Sequence, residues 1–227
     1  VTDLFEEAQR LGMDSMAITD HGYLFGAYDF YRKAKDKGIN PILGVEAYVT
    51  PGTARSDRTR VQWGTRDQKG DDVSGGGAYT HMTLWAENNE GWYNLNKAVS
   101  KASLDQVFSR WPRLDRELIS QYSKGVIATT GCPSGEIQTR LRLGQYDEAL
   151  RAAGEYKDIF GEGNYFLELM DHELEIEHRV RGDLMRLAKD LNLPLVATND
   201  LHYTHEEDAK AHEALLAIQS GSTLLEP

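Results

Sequence analysis

Apolar positions along this chain switch repeatedly between a spacing of three or four residues and short continuous runs. Leu4, Phe5, Ala8 and Leu11 share one face of a helix over 3–11, with Thr2 or Asp3 as its N-cap and Gly12 as its stop. Residues 15–19 (SMAIT) follow as an apolar run of strand length. Helical spacing returns over 25–37 through Ala27, Phe30, Tyr31 and Ala34, closed by Gly38. The same reading predicts strands over 42–49, 81–86, 126–130, 164–170 and 195–198. It predicts helices over 91–102, 114–122, 136–143, 146–160, 176–191 and 205–220. Strands alternating with helices at this spacing imply right-handed crossovers and a largely parallel sheet, either open and doubly wound or closed into a barrel.

One stretch breaks the rhythm. From Pro51 to Gly77 there is little periodicity, many turn formers, and a cluster of Arg55, Arg58, Arg60, Arg66 and Lys69. Loops of this length inside a compact domain are usually functional or mobile. Two readings stand side by side: a solvated excursion, or a loop that touches a nucleic-acid backbone or a neighbouring domain.

Composition narrows the class. With 25 basic and 36 acidic residues the formal charge is −11, which argues against binding nucleic acid over the whole surface. A protein that meets nucleic acid locally through metal ions remains open. No apolar run approaches the roughly 20 residues needed to cross a bilayer, and the start carries no signal-peptide pattern. The single cysteine, Cys132, cannot form an internal disulfide, which fits a reducing, cytoplasmic setting. The first residue is Val1 rather than Met, so the chain is expected to be a fragment.

The chemistry should sit where strands end, because parallel α/β folds build their sites from the residues that follow each strand. Residues 15–19 run into Asp20-His21-Gly22, 42–45 into Glu46, 126–130 into Gly131-Cys132, and 195–198 into Asn199-Asp200-Leu201-His202. His81 opens its strand rather than closing it, so its placement is less defined. Imidazoles, carboxylates and a thiol are a divalent-metal set. Asp200 and His202, two apart, point the same way in an extended segment. Taken singly, each has a bland alternative: a hydrogen-bonded histidine, an ordinary ion pair at Glu46, a small buried thiol at Cys132, or Asp200 and His202 as caps for the next helix. His172 could stand at the rim or simply start a loop. His178, His205 and His212 read as solvent-facing, and Glu173, Glu175, Glu177, Arg179 and Arg181 as a solvated helix face.

Together the motifs Thr19-Asp20-His21-Gly22, Gly44-Val45-Glu46-Ala47-Tyr48, Tyr79-Thr80-His81, Thr130-Gly131-Cys132-Pro133-Ser134-Gly135 and Thr198-Asn199-Asp200-Leu201-His202-Tyr203 resemble those of the PHP (polymerase and histidinol phosphatase) family. More narrowly, they resemble the type at the N-terminus of bacterial replicative polymerases, the DNA polymerase III alpha subunits, in its actinobacterial version. The resemblance spans essentially all of 1–227 as a single domain. It implies an α/β fold, a distorted (β/α)7 TIM-like barrel. The family's opening His-x-His has no match here, so the resemblance also implies truncation and loss of the first strand, with polymerase domains following after residue 227. It implies up to three divalent ions (zinc, manganese or iron) held by His21, Glu46, His81, Cys132, Asp200 and His202, with Glu46, His81 and Asp200 carrying the catalysis. The implied activity is metal-dependent phosphodiester hydrolysis, a 3′→5′ proofreading exonuclease. The implied partners are DNA at the primer 3′ end, the remaining polymerase domains, and replisome subunits such as the sliding clamp, with no membrane. A non-catalytic scaffold and a small-molecule phosphoesterase of the same family are the alternatives.

Overall fold

A computed structural model describes residues 1–105 and 110–224, except for the side chains of 69–71. The strands are β1 (Ser15–His21), β2 (Asn40–Val49), β3 (Thr80–Ala86), β4 (Arg113–Leu114), β5 (Val126–Thr129), β6 (Tyr165–Leu169) and β7 (Leu195–Ala197). The helices are α1 (Thr2–Arg10), α2 (Ala27–Asp36), α3 (Ser74–Gly77), α4 (Asn89–Leu104), α5 (Arg116–Gln121), α6 (Glu136–Arg142), α7 (Tyr146–Phe160), α8 (Glu175–Leu191) and α9 (Ala209–Ser220). The strands form one mixed sheet in the order β1-β2-β3-β5-β6-β7, with β4 added beside the end of β2. The sheet curls into a half-barrel. Residues of β1 and residues just beyond β7 line the same cavity of about 640 Å3, although no pairing joins these two edges among the described residues.

The sheet is largely parallel, as expected, with β3 as the exception. β1 and β2 are parallel, as are β5, β6 and β7, but β3 runs antiparallel to both β2 and β5. The connection explains it. Between β2 and β3 the only helical pieces are a 3-10 turn over Arg66–Asp71 and the four-residue α3. Neither is long enough to carry the chain back along the sheet, so it re-enters from the end it left. Its first residues therefore share a rim with the last residues of β1, β2 and β5.

Local signals account for most elements. In α7, Ala149, Ala152, Ala153, Tyr156 and Phe160 are buried at helical spacing, and Gly161 at φ +83° ends the helix. Asn88 caps α4 by accepting from the Gly91 amide, and Asp115 caps α5 by accepting from the Leu118 amide. Helix α1 starts at Thr2 itself with no side-chain cap, so neither Thr2 nor Asp3 serves as its cap. Ahead of α9, His205 and Asp208 form a capping box, so Asp200 and His202 are not spent as caps. The main core lies between the sheet and α4–α8, and a smaller cluster of Phe5, Ala8, Phe30, Ala34 and Ile39 seats α1 and α2.

The long loop is sewn to its own domain rather than standing free. Arg113, only 2% exposed on β4, donates to the carbonyls of Ala78 (2.8 Å), Arg55 (3.0 Å) and Asp57 (2.6 Å). Arg55 pairs with Asp115 and Asp105, each at 3.2 Å. The Arg140 guanidinium lies 3.5 Å over the Trp63 ring, and Gln145 Nε2 donates to the Trp63 carbonyl. Arg60 bonds the carbonyls of Gly75 and Gly76, while Arg58 and Arg66 are exposed. The side chain of Lys69 lies outside the described residues.

Replacing Arg113 by Met should leave several loop carbonyls without donors, at a cost of about 3 kcal/mol, and should free 51–77 for proteolysis. Denaturant unfolding and limited digestion measure this. A loss below about 0.5 kcal/mol with an unchanged digestion pattern would contradict the stapling role.

Candidate metal centre

The centre is built around Glu46. In the sheet register Glu46 stands opposite His21 on β1 and Thr83 on β3, with His81 one pleat along from Thr83 on the same face. His21 Nδ1 lies 2.8 Å from one carboxylate oxygen of Glu46 and His81 Nδ1 lies 2.8 Å from the other. Cys132 Sγ sits 3.3 Å from both His81 Nδ1 and Glu46 Oε1. One ligand atom from each of His21, Glu46 and His81 can be chosen so that all lie within 4.8 Å of one another.

The backbone brings these groups in for local reasons. Gly22, after His21, is at φ +69° and donates to the Glu46 carbonyl at 2.8 Å. A Cβ there would stand 2.6 Å from the Tyr48 ring, so only glycine fits. The His81 amide donates to the Ser134 carbonyl, which docks the Cys132 turn against the start of β3. Gln138 Nε2 holds that turn through Thr130 Oγ1 (2.9 Å) and the Gly131 carbonyl (2.7 Å). Tyr79 stacks on His81 with centroids 5.4 Å apart, and Tyr48 stacks on His21 at 6.3 Å.

The electrostatics follow from this packing. Burial works to raise the Glu46 carboxyl, but hydrogen bonds and charge from His21 and His81 overcome it and hold the group well below the usual carboxylate range. The bond to Glu46 raises His21. Burial and the neighbouring Glu46 charge push the Cys132 thiol up, keeping it neutral without an ion. Burial raises Asp200, and the Glu46 charge adds to it. The Tyr48 phenol is pushed up to about 12, chiefly by burial.

Asp200 and His202 line the same cavity as His21, Glu46 and Cys132. Among the described residues no hydrogen bond joins either of them to those three or to His81. His202 Nδ1 instead lies 2.7 Å from the Asp200 carbonyl, and its ring is 5.6 Å from that of His212. Asp200 is one of three non-glycine residues at positive φ (+45°) among those described. Two further carboxylates have roles that the sequence pattern does not reveal. Glu168 on β6 is buried, lines the cavity, and accepts from the hydroxyls of Thr129 and Thr198; burial raises it despite those bonds. Glu177, read as part of a solvated face, is instead buried and bonds His172. Its position at the start of an amphipathic helix suggested solvent, and only the fold turns it inward. His178 is exposed, near Asp171.

The donor set fits a divalent ion. Two imidazoles, a carboxylate and a sulfur converge in a half-buried pocket, and the buried His81 Nε2 has no hydrogen-bond partner.

Residues 1–172 match the family model described as "PHP domain". The chain belongs to the PHP family. This PHP chain is 54% identical over 227 residues to DNA polymerase III subunit alpha of Mycobacterium tuberculosis, covering 100% of the chain and 19% of that protein. It is 41% identical over 213 residues to the Thermus aquaticus subunit, covering 94% of the chain and 16% of that protein. It thus spans about a fifth of the length of the curated relatives it matches. A solved Bifidobacterium adolescentis structure, whose description contains the words metal-dependent phosphoesterase, aligns at 17% identity and TM-score 0.47. That alignment covers 89% of this chain and 82% of the other. Among the described residues no helix is long and apolar enough to cross a membrane.

The His21–Glu46 pair sets a pH dependence for metal-free protein. A raised imidazole contributes stability that is fully present below its ordinary 6.5 and is lost as pH rises through its elevated folded value. The depressed Glu46 contributes above its ordinary 4.5 and is lost only on strong acidification. Thermal midpoints of chelated protein should therefore fall on going upward from pH 6.5, and His21→Asn should flatten that slope. An identical slope in the variant would refute the pairing.

Proposed function

We propose that this chain is the PHP domain of a bacterial replicative polymerase, a DNA polymerase III alpha subunit, and that its strand-end cavity is a metal-dependent 3′→5′ exonuclease site acting on the primer terminus. The observation that carries the reading is the convergence of His21, Glu46 and His81 within ligand distance of one another, with the Cys132 sulfur beside them. His21, Glu46, His81, Cys132, Asp200 and His202 would hold up to three ions (zinc, manganese or iron). Bound ions would supply positive charge to the scissile phosphate and lower the pKa of water.

The chain's own residues do the rest. Glu46 turns one oxygen toward His21 and the other toward His81, so it would be placed to serve more than one bound ion. Glu46, His81 and Asp200 are the groups assigned to the reacting centre. Exposed Arg58 and Arg66 would meet the DNA backbone, so that an acidic domain can receive a primer end. Among the described residues no strand pairs the outer edges of β1 and β7, which flank the cavity and would accept one more strand, in keeping with a single barrel domain short of its first strand. On this reading the remaining polymerase domains follow residue 227. The partners are DNA, those domains and replisome subunits such as the sliding clamp, and the setting is the cytoplasm.

A second reading has an observation of its own. His21 and His81 give each oxygen of Glu46 a hydrogen-bond partner, as a non-catalytic scaffold would require. Release of nucleotides from a mismatched primer by the full-length protein separates the two. The catalytic reading expects His21→Ala and Asp200→Asn each to slow excision by about 100-fold while primer extension persists. Excision that survives both changes, or a full-length protein without bound metal or excision, favours the scaffold. Hydrolysis confined to phosphate monoesters would instead mark a small-molecule phosphoesterase.

A further inference from the structure

Asp200 stands in a backbone conformation that most side chains avoid, at φ +45°. The two residues before it are each held from outside their own segment. Thr198 donates its hydroxyl to the buried Glu168 on β6, and its amide donates to the Leu169 carbonyl at 3.1 Å. The Asn199 carbonyl accepts from His172 Nε2 at 2.5 Å. His172 is in turn fixed from behind by Glu177. Its Nδ1 donates to one carboxylate oxygen at 2.6 Å and its backbone amide to the other at 2.7 Å, so with Nε2 donating to Asn199 the ring is the doubly protonated imidazolium. Glu177 is only 5% exposed in the first turn of α8. A buried carboxylate whose two oxygens both accept from His172 orients that residue firmly, and the other ring nitrogen is spent on a main-chain carbonyl one residue from Asp200. His172 is thus neither an idle loop start nor placed among the groups around Glu46.

We propose that His172, backed by Glu177, and Glu168 are positioning residues that clamp Thr198 and Asn199 and thereby hold Asp200 in its left-handed conformation on the cavity wall. The inference rests on the metal reading only for its consequence, since the clamp itself is a matter of this chain's hydrogen bonds. His172 touches Asn199, not the reacting centre, and so acts through Asp200. An outer partner of a ligand typically carries 10–100-fold in metal affinity.

The test uses the full-length protein and two readouts. Amide exchange over 198–202 in chelated protein reports the clamp directly, and Mn2+ titration reports its consequence. His172→Ala should speed exchange over 198–202 by about tenfold or more while exchange in α7 stays as in the parent. It should also weaken Mn2+ binding by about tenfold. His172→Gln retains a donor for the Asn199 carbonyl and should recover part of both. Glu177→Gln and Glu168→Gln, milder changes, should show smaller shifts in the same direction. In an Asp200→Ala background, His172→Ala should change Mn2+ affinity no further, because the residue through which it acts is gone. Unaltered exchange over 198–202 in all of these variants overturns the clamp. An undiminished affinity loss in the Asp200→Ala background overturns the route through Asp200. A parent protein that binds no Mn2+ counts against the metal reading, while the exchange data still decide the clamp.

Discussion

A carboxylate buried in the middle of a curled sheet is unfavourable unless its charge is met, and Glu46 is met from both sides by imidazoles on the neighbouring strands. That requirement reaches outward. It demands that β1 pair with β2 in the register that sets His21 opposite Glu46, and that β3 enter from the rim so that His81 arrives on the other flank. It also demands a turn after β5 tight enough to lay Cys132 against both. Each of these is a backbone arrangement, and each is secured by groups away from the pocket: Gly22 under Tyr48, Ser134 on the His81 amide, and Gln138 across the Cys132 turn. Without Glu46 ionised and paired, the two histidines would have no common partner.

Much of this was legible in the chain itself, because the signals were local. Helix α7 begins and ends where its periodicity does, since its alanines leave only one face that can be buried. His21 and Cys132 could be read as rim residues because each follows within two positions of an apolar run, whereas Glu46, expected at a strand end, lies inside β2 and reaches the pocket through its register opposite His21. His81 could not, since direction of travel is a property of connections, and the reversal of β3 follows from the lack of any crossover helix between it and β2. Two-residue β4 escaped notice for a related reason: its role is to aim Arg113 at distant carbonyls, and no periodicity exists in a pair of residues.

The carboxylates Glu168 and Glu177 mark where sequence reasoning runs short. Glu168 sits in Tyr165–Leu169 among apolar neighbours, which signals burial but not its two threonine partners, 39 and 30 positions away. Glu177 lies among other charges at a helix start, and composition there argues for water. Only the approach of α8 to the His172 turn gives that one glutamate a reason to be buried. Polar groups that serve positioning are chosen by tertiary neighbours, so their chemistry is invisible until the neighbours are known.

The two uncovered strands at the ends of the sheet bear on how the molecule behaves in solution. Along one side of the seven-residue β1, the main-chain groups of alternate residues meet no strand of the described chain. An unshielded ribbon of that length is a template for another polypeptide, and two copies in isolation have the means to stick edge to edge. The chain therefore carries an aggregation hazard at that edge, one that any partner pairing with β1 would remove.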